Sequence, residues 1–225
     1  MPTVDEATWL LVYAVLVASM ASVVWFFQVR RAMIARMRAV IGILEDELRP
    51  RDKTYTLLGY LVGFRAVYDL PYRWSTRAWL LYTMPPGHVF FYLPVIALRG
   101  ERDRLEVTFR LRSPLPGEAH VYDPRDRHVK RLVRRDTAGV EERLARAFVE
   151  ASGRRYAALY SGEEALEKAR ALLEDLLAAG VDVRRVTLSD RDWALHVSLV
   201  PSVSTLREAL RVVKKHAGRL AAATG

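Results

Sequence analysis

The densest group of side chains that could bind a ligand is a run of basic residues in the middle of the sequence. Its six members, opposed within the run only by Asp126, are Arg125, Arg127, Lys130, Arg131, Arg134 and Arg135. Such a cluster can bind the phosphates of a lipid or a nucleic acid, or an acidic partner. A solvated surface is the usual alternative in an arginine-rich chain. The six residues are therefore a candidate anion- or partner-binding site.

Two histidines in the same region raise the possibility of a metal site. His120 and His128 lie symmetrically about Pro124, so in a hairpin they would face each other with Asp123 or Asp126 nearby. That set approximates a His/His/carboxylate zinc site. A helix over residues 124–135 would separate the pair, and the sequence does not decide between helix and strand there. We predict no metal ligand.

Signatures of catalysis are missing from the sequence. Ser161-Gly162 resembles a nucleophile elbow but lacks the first glycine of G-x-S-x-G, and a helix cap explains the serine. There is no Walker loop, dinucleotide fingerprint or H-E-x-x-H, and the chain has no cysteine for a thiolate ligand or nucleophile. We predict no catalytic residue and no cofactor, although an enzyme whose site only the fold assembles stays open.

Composition indicates a folded, basic protein. The chain has 225 residues, 51% of them apolar, and a formal net charge of +9. It contains no asparagine and one glutamine, Gln28, and arginine far outnumbers lysine. Depletion of thermolabile amides favours a thermophilic source, although genomic base composition can give the same arginine bias.

The first element that must be placed is a long apolar segment. Residues 7–29 carry no charge, and the run from Trp9 to Phe27 would span about 28 Å as a helix, which matches a bilayer core. Trp9 and Tyr13 near one end, and Trp25 near the other, are typical of the two interfaces. We predict an uncleaved anchor over residues 1–29. A signal peptide cleaved near Ala21 and a buried core helix are the alternatives.

Charges beside the anchor predict its orientation. Arg30, Arg31, Arg36 and Arg38 follow it, whereas only Asp5 and Glu6 precede it. The positive-inside rule then places the N-terminus outside the cell membrane and the rest of the chain in the cytoplasm.

An amphipathic helix continues beyond the anchor to Pro50, within a juxtamembrane region of residues 30–53. A stripe of small residues, Ala14, Ala18 and Ser22, lies on one face of the anchor and could form the interface of a parallel homodimer. Packing of the helix on its own soluble domain is the alternative.

Residues 54–115 are rich in aromatic and β-branched residues and predict an antiparallel sheet. Residues 55–68 are interpreted as one bent strand or two short ones, and residues 104–112 as a half-buried strand. Residues 79–84 and 89–98 are predicted to form a hairpin across Pro85-Pro86-Gly87-His88. A re-entrant or interfacial membrane element over this apolar stretch is the alternative.

Residues 116–225 alternate between helical and strand patterns, which predicts a two-layer α+β segment. Strands are expected at 120–122, 156–160, 181–188 and 193–200. Helices are expected from Thr137 to about Ser152, from a capping box at Ser161 to Gly180, and from about Ser204.

Together these elements predict a single-pass membrane protein with a cytoplasmic α+β domain. The leading functional hypothesis is a non-catalytic scaffold or adaptor that contacts other proteins as well as the lipid bilayer. The alternative hypothesis is an electrostatic binder of anionic lipid or nucleic acid through the basic cluster, with nucleic acid the less favoured ligand because no RNA-binding or DNA-binding motif occurs.

Overall fold

The computed structural model describes residues 6–59 and 61–222. The helices in this range are α1 (Glu6–Leu48), α2 (Leu93–Arg99), α3 (Arg127–Asp136), α4 (Glu163–Ala178) and α5 (Leu206–Ala222). The strands are β1 (Asp52–Leu57), β2 (Gly63–Asp69), β3 (Ser75–Thr83), β4 (Arg104–Leu111), β5 (Ala119–Tyr122), β6 (Ala145–Ala151), β7 (Arg154–Tyr160), β8 (Asp182–Ser189) and β9 (Ala194–Val200). Short 3-10 helices occupy Phe90–Tyr92 and Glu141–Arg143.

The apolar segment and the amphipathic stretch form one continuous helix, α1, of 43 residues. Its most apolar window has a mean hydropathy of 2.3 and none of it is buried. The helix is therefore long and apolar enough to cross a membrane. Residues 1–5 of the predicted anchor 1–29 lie outside the described residues. The helix ends where Arg49 adopts a φ of 45°, one residue before Pro50.

All nine strands form one antiparallel sheet in the order β1-β2-β3-β4-β9-β8-β5-β7-β6. The pairing of β4 with β9, which sets Val107 opposite Val197, joins the strands of residues 54–115 to those of residues 116–225. The α+β class predicted from the sequence is therefore confirmed, and both segments contribute to the same sheet.

One face of the sheet carries the main apolar core. Alternate side chains of β4, such as Val107 and Phe109, are buried in one cluster with residues of α4, α5 and the C-terminal part of α1, including Leu44 and Leu48. The opposite face is more polar, and α3 covers part of it by burying Val129 and Val133 in a second, smaller cluster. The helical layers therefore leave part of one sheet face open.

The two ends of the sheet differ in their distance from the apolar half of α1. At one end β1, β3, β5, β6 and β9 finish while β2, β4, β7 and β8 begin. There Arg36 of α1 donates a hydrogen bond to Asp103 in the β3–β4 connection, at 3.0 Å. We call this the anchor end of the sheet.

The prediction of a strand over residues 89–98 is wrong. A 3-10 helix leads into α2, and Gly100 ends α2 with a φ of 60°. Pro94 explains the difference, because it fits the first turn of a helix and would remove a ladder hydrogen bond from a strand. The preceding strand, predicted over residues 79–84, is confirmed as part of β3.

The helix predicted from Thr137 to about Ser152 is also wrong. The preceding range, which the sequence left open between helix and strand, contains α3, and the Thr137 hydroxyl donates to the Val133 carbonyl at its end. Residues 145–151 instead form β6, where Val149 and Ala151 are buried alternately, and the β6–β7 turn places Ser152 and Gly153 at positive φ. The remaining predicted strands and helices are confirmed as β5, β7, β8, β9, α4 and α5.

Candidate anion-binding cleft

A cleft of about 1300 Å³ lies at the anchor end of the sheet. Its walls come from the β3–β4 connection, the start of α3, and the first residues of β7 and β8. The cleft is lined by nine arginines: Arg99, Arg102, Arg104, Arg125, Arg127, Arg131, Arg154, Arg155 and Arg184. We call it the arginine cleft.

The acidic residues of the arginine cleft are outnumbered, and most are paired. There are six: Glu101, Asp103, Asp123, Asp126, Glu106 and Asp182. Five of them form salt bridges, among them Asp126 with Arg104 at 2.9 Å and Asp182 with Arg154 at 2.8 Å. The sixth, Glu106, forms no salt bridge within the described residues, and burial raises its pKa.

Four arginines of the cleft have no salt bridge within the described part of the chain: Arg125, Arg127, Arg131 and Arg155. Burial, and after it the charge of Arg104, lower the pKa of His128, which lines the same cleft. The cleft therefore carries positive charge that no protein carboxylate neutralises, which is the condition for binding an anion.

Local structure positions the backbone that carries these side chains. Asp126 caps α3 by accepting hydrogen bonds from the backbone of His128 and Val129, and the buried Val129 anchors the helix to the sheet. Arg127 and Arg131, four residues apart, then share one face of α3. On the opposite wall the Arg155 guanidinium lies 3.8 Å from the centre of the Phe148 ring.

The structure divides the predicted basic cluster. All six residues are exposed, but only Arg125, Arg127 and Arg131 line the arginine cleft. Lys130, Arg134 and Arg135 lie elsewhere on α3, where Arg135 pairs with Asp136 at 3.7 Å. Sequence reasoning missed the six other cleft arginines, although the doublets Arg154-Arg155 and Arg184-Arg185 were a visible sign of charge at strand ends.

A second concavity of about 540 Å³ lies on the open polar face of the sheet. Strand register sets Thr108, His196, Thr187 and His120 in one row across four neighbouring strands. Arg185 lies beside the row, donating to Thr187 at 2.7 Å and pairing with Asp136 at 2.8 Å. We call these residues the polar row.

Both histidines of the polar row are uncharged near neutral pH. Burial, followed by the charge of Arg185, lowers the pKa of His120 to about 4 and that of His196 to about 3. The guanidinium of Arg185 lies 3.4 Å from His120 Nδ1 and can only donate, so Nδ1 accepts and Nε2 carries the proton. Thr108 and His196 are hydrogen-bonded at 2.8 Å, but a histidine of such low pKa is a weak general base.

The other predicted chemical groups are not brought together. His120 lies on β5 and His128 on α3, and within the described residues no three His, Asp or Glu side chains form a metal-binding group. The capping box at Ser161 is wrong, because Gly162 is the cap residue and the Ser161 hydroxyl accepts from the Glu118 backbone at 2.8 Å.

Comparison with models of known protein families and with curated proteins finds no match to this sequence. The arginine cleft and its position relative to α1 are therefore the features that bear on function. Of the two concavities, the arginine cleft is the larger and carries the unneutralised charge.

Proposed function

We propose that this chain is a single-pass membrane protein whose α+β domain lies in the cytoplasm and binds anionic phospholipid headgroups through the arginine cleft. The apolar half of α1 supplies the anchor. Arg30, Arg31, Arg36 and Arg38 support the cytoplasmic orientation, since basic residues flank the cytoplasmic side of membrane helices.

The observation that carries the proposal is the location of unpaired arginines at the anchor end. Pro85, Pro86 and Leu98 line the same cleft, and they belong to the connection that contacts α1 around Trp25. A cleft beside the membrane-facing part of the chain meets headgroup phosphates at high local concentration. Guanidinium groups bind such phosphates with two parallel hydrogen bonds.

The size of the effect follows from the four unpaired arginines. A basic residue near an anionic surface contributes about 1 kcal/mol, so four contribute about 4 kcal/mol, or roughly a thousandfold in affinity. Because the attraction is electrostatic, we expect it to weaken steeply as the salt concentration rises.

The test uses the full chain in non-ionic detergent and a fluorescent short-chain phosphatidylglycerol, with phosphatidylcholine as the uncharged comparison. Arg125, Arg127, Arg131 and Arg155 are replaced together by serine. The control variant replaces four exposed basic residues outside the cleft by serine: Arg65, Lys130, Arg134 and Lys215. We expect the first variant to lose phosphatidylglycerol binding and the control to retain it.

Equal losses in the two variants would contradict the proposal, because they would reflect net charge rather than the cleft. Binding of a DNA duplex as tightly as phosphatidylglycerol would move the assignment to nucleic acid. A scaffold or adaptor role through protein contacts, and a parallel homodimer through Ala14, Ala18 and Ser22, remain separate predictions. The first of these small residues is exposed on α1, and the other two are half-buried.

A further inference from the structure

Exposed apolar side chains outside α1 are concentrated in one place. In the described part of the chain there are nine large ones, of which Phe148, Trp193 and Val203 are scattered. The other six lie on, or directly before, two adjoining loops at the anchor end, the β1–β2 turn and the β3–β4 connection: Leu57, Val62, Val89, Phe90, Phe91 and Leu98. The loops are joined by a hydrogen bond from the Met84 backbone to the Val62 carbonyl, at 2.7 Å. Leu98 is 89% exposed and Phe91 is 74% exposed.

The larger of the two loops lies against the membrane helix. We call residues 85–100 the interfacial segment. The indole of Trp25 donates to the Gly87 carbonyl at 3.0 Å, and its ring lies 6.1 Å from that of Phe90 in an edge-on arrangement. Phe26 and His88 make a second ring contact at 6.1 Å. The interfacial segment is therefore held beside the last apolar turns of α1.

These contacts set the depth of the interfacial segment. Trp25 precedes Arg30, the first charged residue after the apolar run, by five residues, or about 7 Å along a helix. The interfacial layer on each side of a bilayer is about 5–8 Å thick. Phe90 thus lies at the level where the hydrocarbon gives way to the headgroups.

The side chains of the interfacial segment match that layer. The apolar helix over Phe90–Arg99 has no buried residue in the protein and is too short to span a bilayer. Apolar rings stand at its start, while Arg99 at its end lines the arginine cleft. Aromatic rings beside basic residues are typical of helices that lie in the interface plane.

We propose that the interfacial segment inserts into the leaflet that surrounds Trp25, so that the domain contacts the bilayer at a second point besides α1. The occupant of this apolar surface is the acyl-chain and headgroup boundary of the membrane. Insertion holds the arginine cleft at headgroup level and limits rotation of the domain about α1. The inference rests on the membrane anchor of the proposed function but not on binding of anionic lipid.

The absence of cysteine allows a clean test. The full chain is reconstituted in nanodiscs of phosphatidylcholine alone, which removes any contribution from anionic headgroups. Single variants Phe91→Cys and Leu98→Cys carry a nitroxide label. Trp193→Cys, an exposed apolar position at the far end of the sheet, is the matched aqueous control, and Val17→Cys on α1 is the lipid control. Power saturation compares collisions with oxygen and with a water-soluble nickel chelate.

We expect the ratio of oxygen to nickel collisions at positions 91 and 98 to exceed that at position 193 several-fold. An aqueous ratio at position 91 or 98, together with a lipid ratio at position 17, would overturn the interfacial segment and leave the anchor intact. An aqueous ratio at position 17 would overturn both this inference and the membrane anchor of the proposed function.

Discussion

The two histidines of the polar row predict that the folded domain loses stability in mild acid. An ordinary histidine has a pKa of 6.5, whereas the pKa is about 4 for His120 and about 3 for His196. Between pH 6.5 and 4 the unfolded chain therefore binds protons that the folded chain excludes. Above pH 7 both histidines are neutral in the folded and in the unfolded chain, so they do not change the stability. The free energy of unfolding falls as the pH falls below 6.5.

The magnitude at pH 5 depends little on the folded pKa, provided that it lies below 5. At pH 5 the solution is 1.5 pH units below the pKa of each histidine in the unfolded chain. Each histidine therefore lowers the free energy of unfolding by about 2 kcal/mol. The two together lower it by about 4 kcal/mol, which is a large part of the 5–15 kcal/mol typical of a domain. Urea unfolding of the full chain in detergent at pH 8 and pH 5 measures the difference.

The control is a double variant, His120→Asn and His196→Asn. The amide can replace the hydrogen bonds that each Nδ1 makes to Thr187 and Thr108, but it does not titrate. Between pH 8 and pH 5 we expect residues 120 and 196 of the double variant to lower the free energy of unfolding by less than 1 kcal/mol. Retention of the full acid loss in the double variant, or a flat profile in the natural chain, would refute the burial argument.

Three further predictions concern the packing that positions the arginine cleft, each measured by urea unfolding of the full chain. Leu44→Ala, which truncates a fully buried side chain of α1, should cost about 3 kcal/mol, and a cost below 1 kcal/mol would contradict the docking of α1. Gly63→Ala should cost at least about 2 kcal/mol, because a Cβ on Gly63, whose φ is 145°, would lie 1.9 Å from the Tyr82 carbonyl oxygen. A neutral result would contradict this strand geometry. Glu47→Gln should cost about 1 kcal/mol at pH 7, since the carboxylate pairs with Arg207, Arg211 and Lys214, all partly exposed. Burial alone would raise the pKa of Glu47, but hydrogen bonds from Arg211 and Lys214 outweigh burial, so the net shift is downward. The cost of Glu47→Gln should therefore disappear as the pH falls below 4.5. A cost that persists in acid would contradict the ion pairing.

Much of the fold could be predicted because its hydrophobic periodicity is strong. The alternation through β4 and the apolar face of α4, which Gly180 follows two residues after its end, leave little ambiguity. The prediction failed over residues 145–151, where three alanines, one arginine and one glutamate fit a helix as well as an edge strand. Pairing with β7 decides the outcome there, and such long-range contact is not visible in local sequence.

The candidate site was predicted only in part, for a related reason. Arg125, Arg127 and Arg131 are close in sequence, so their density identified them. Arg99 and Arg155 are distant in sequence and join the cleft only through the strand order of the sheet. The free charge of the cleft also depends on which carboxylates are already paired, and that pairing is a property of the folded chain alone.

Antiparallel pairing explains why charge and apolar surface meet at the anchor end. Because each strand begins where its antiparallel neighbour finishes, the β1–β2 turn, the β3–β4 connection and the β6–β7 turn all lie at this end. The β3–β4 connection leaves the sheet beside α1, and it carries both the exposed Phe91 and the cleft residue Arg99. A shift that removed the apolar side chains from the membrane would therefore move one wall of the arginine cleft as well. The interfacial segment and the cleft are coupled by the chain that forms both.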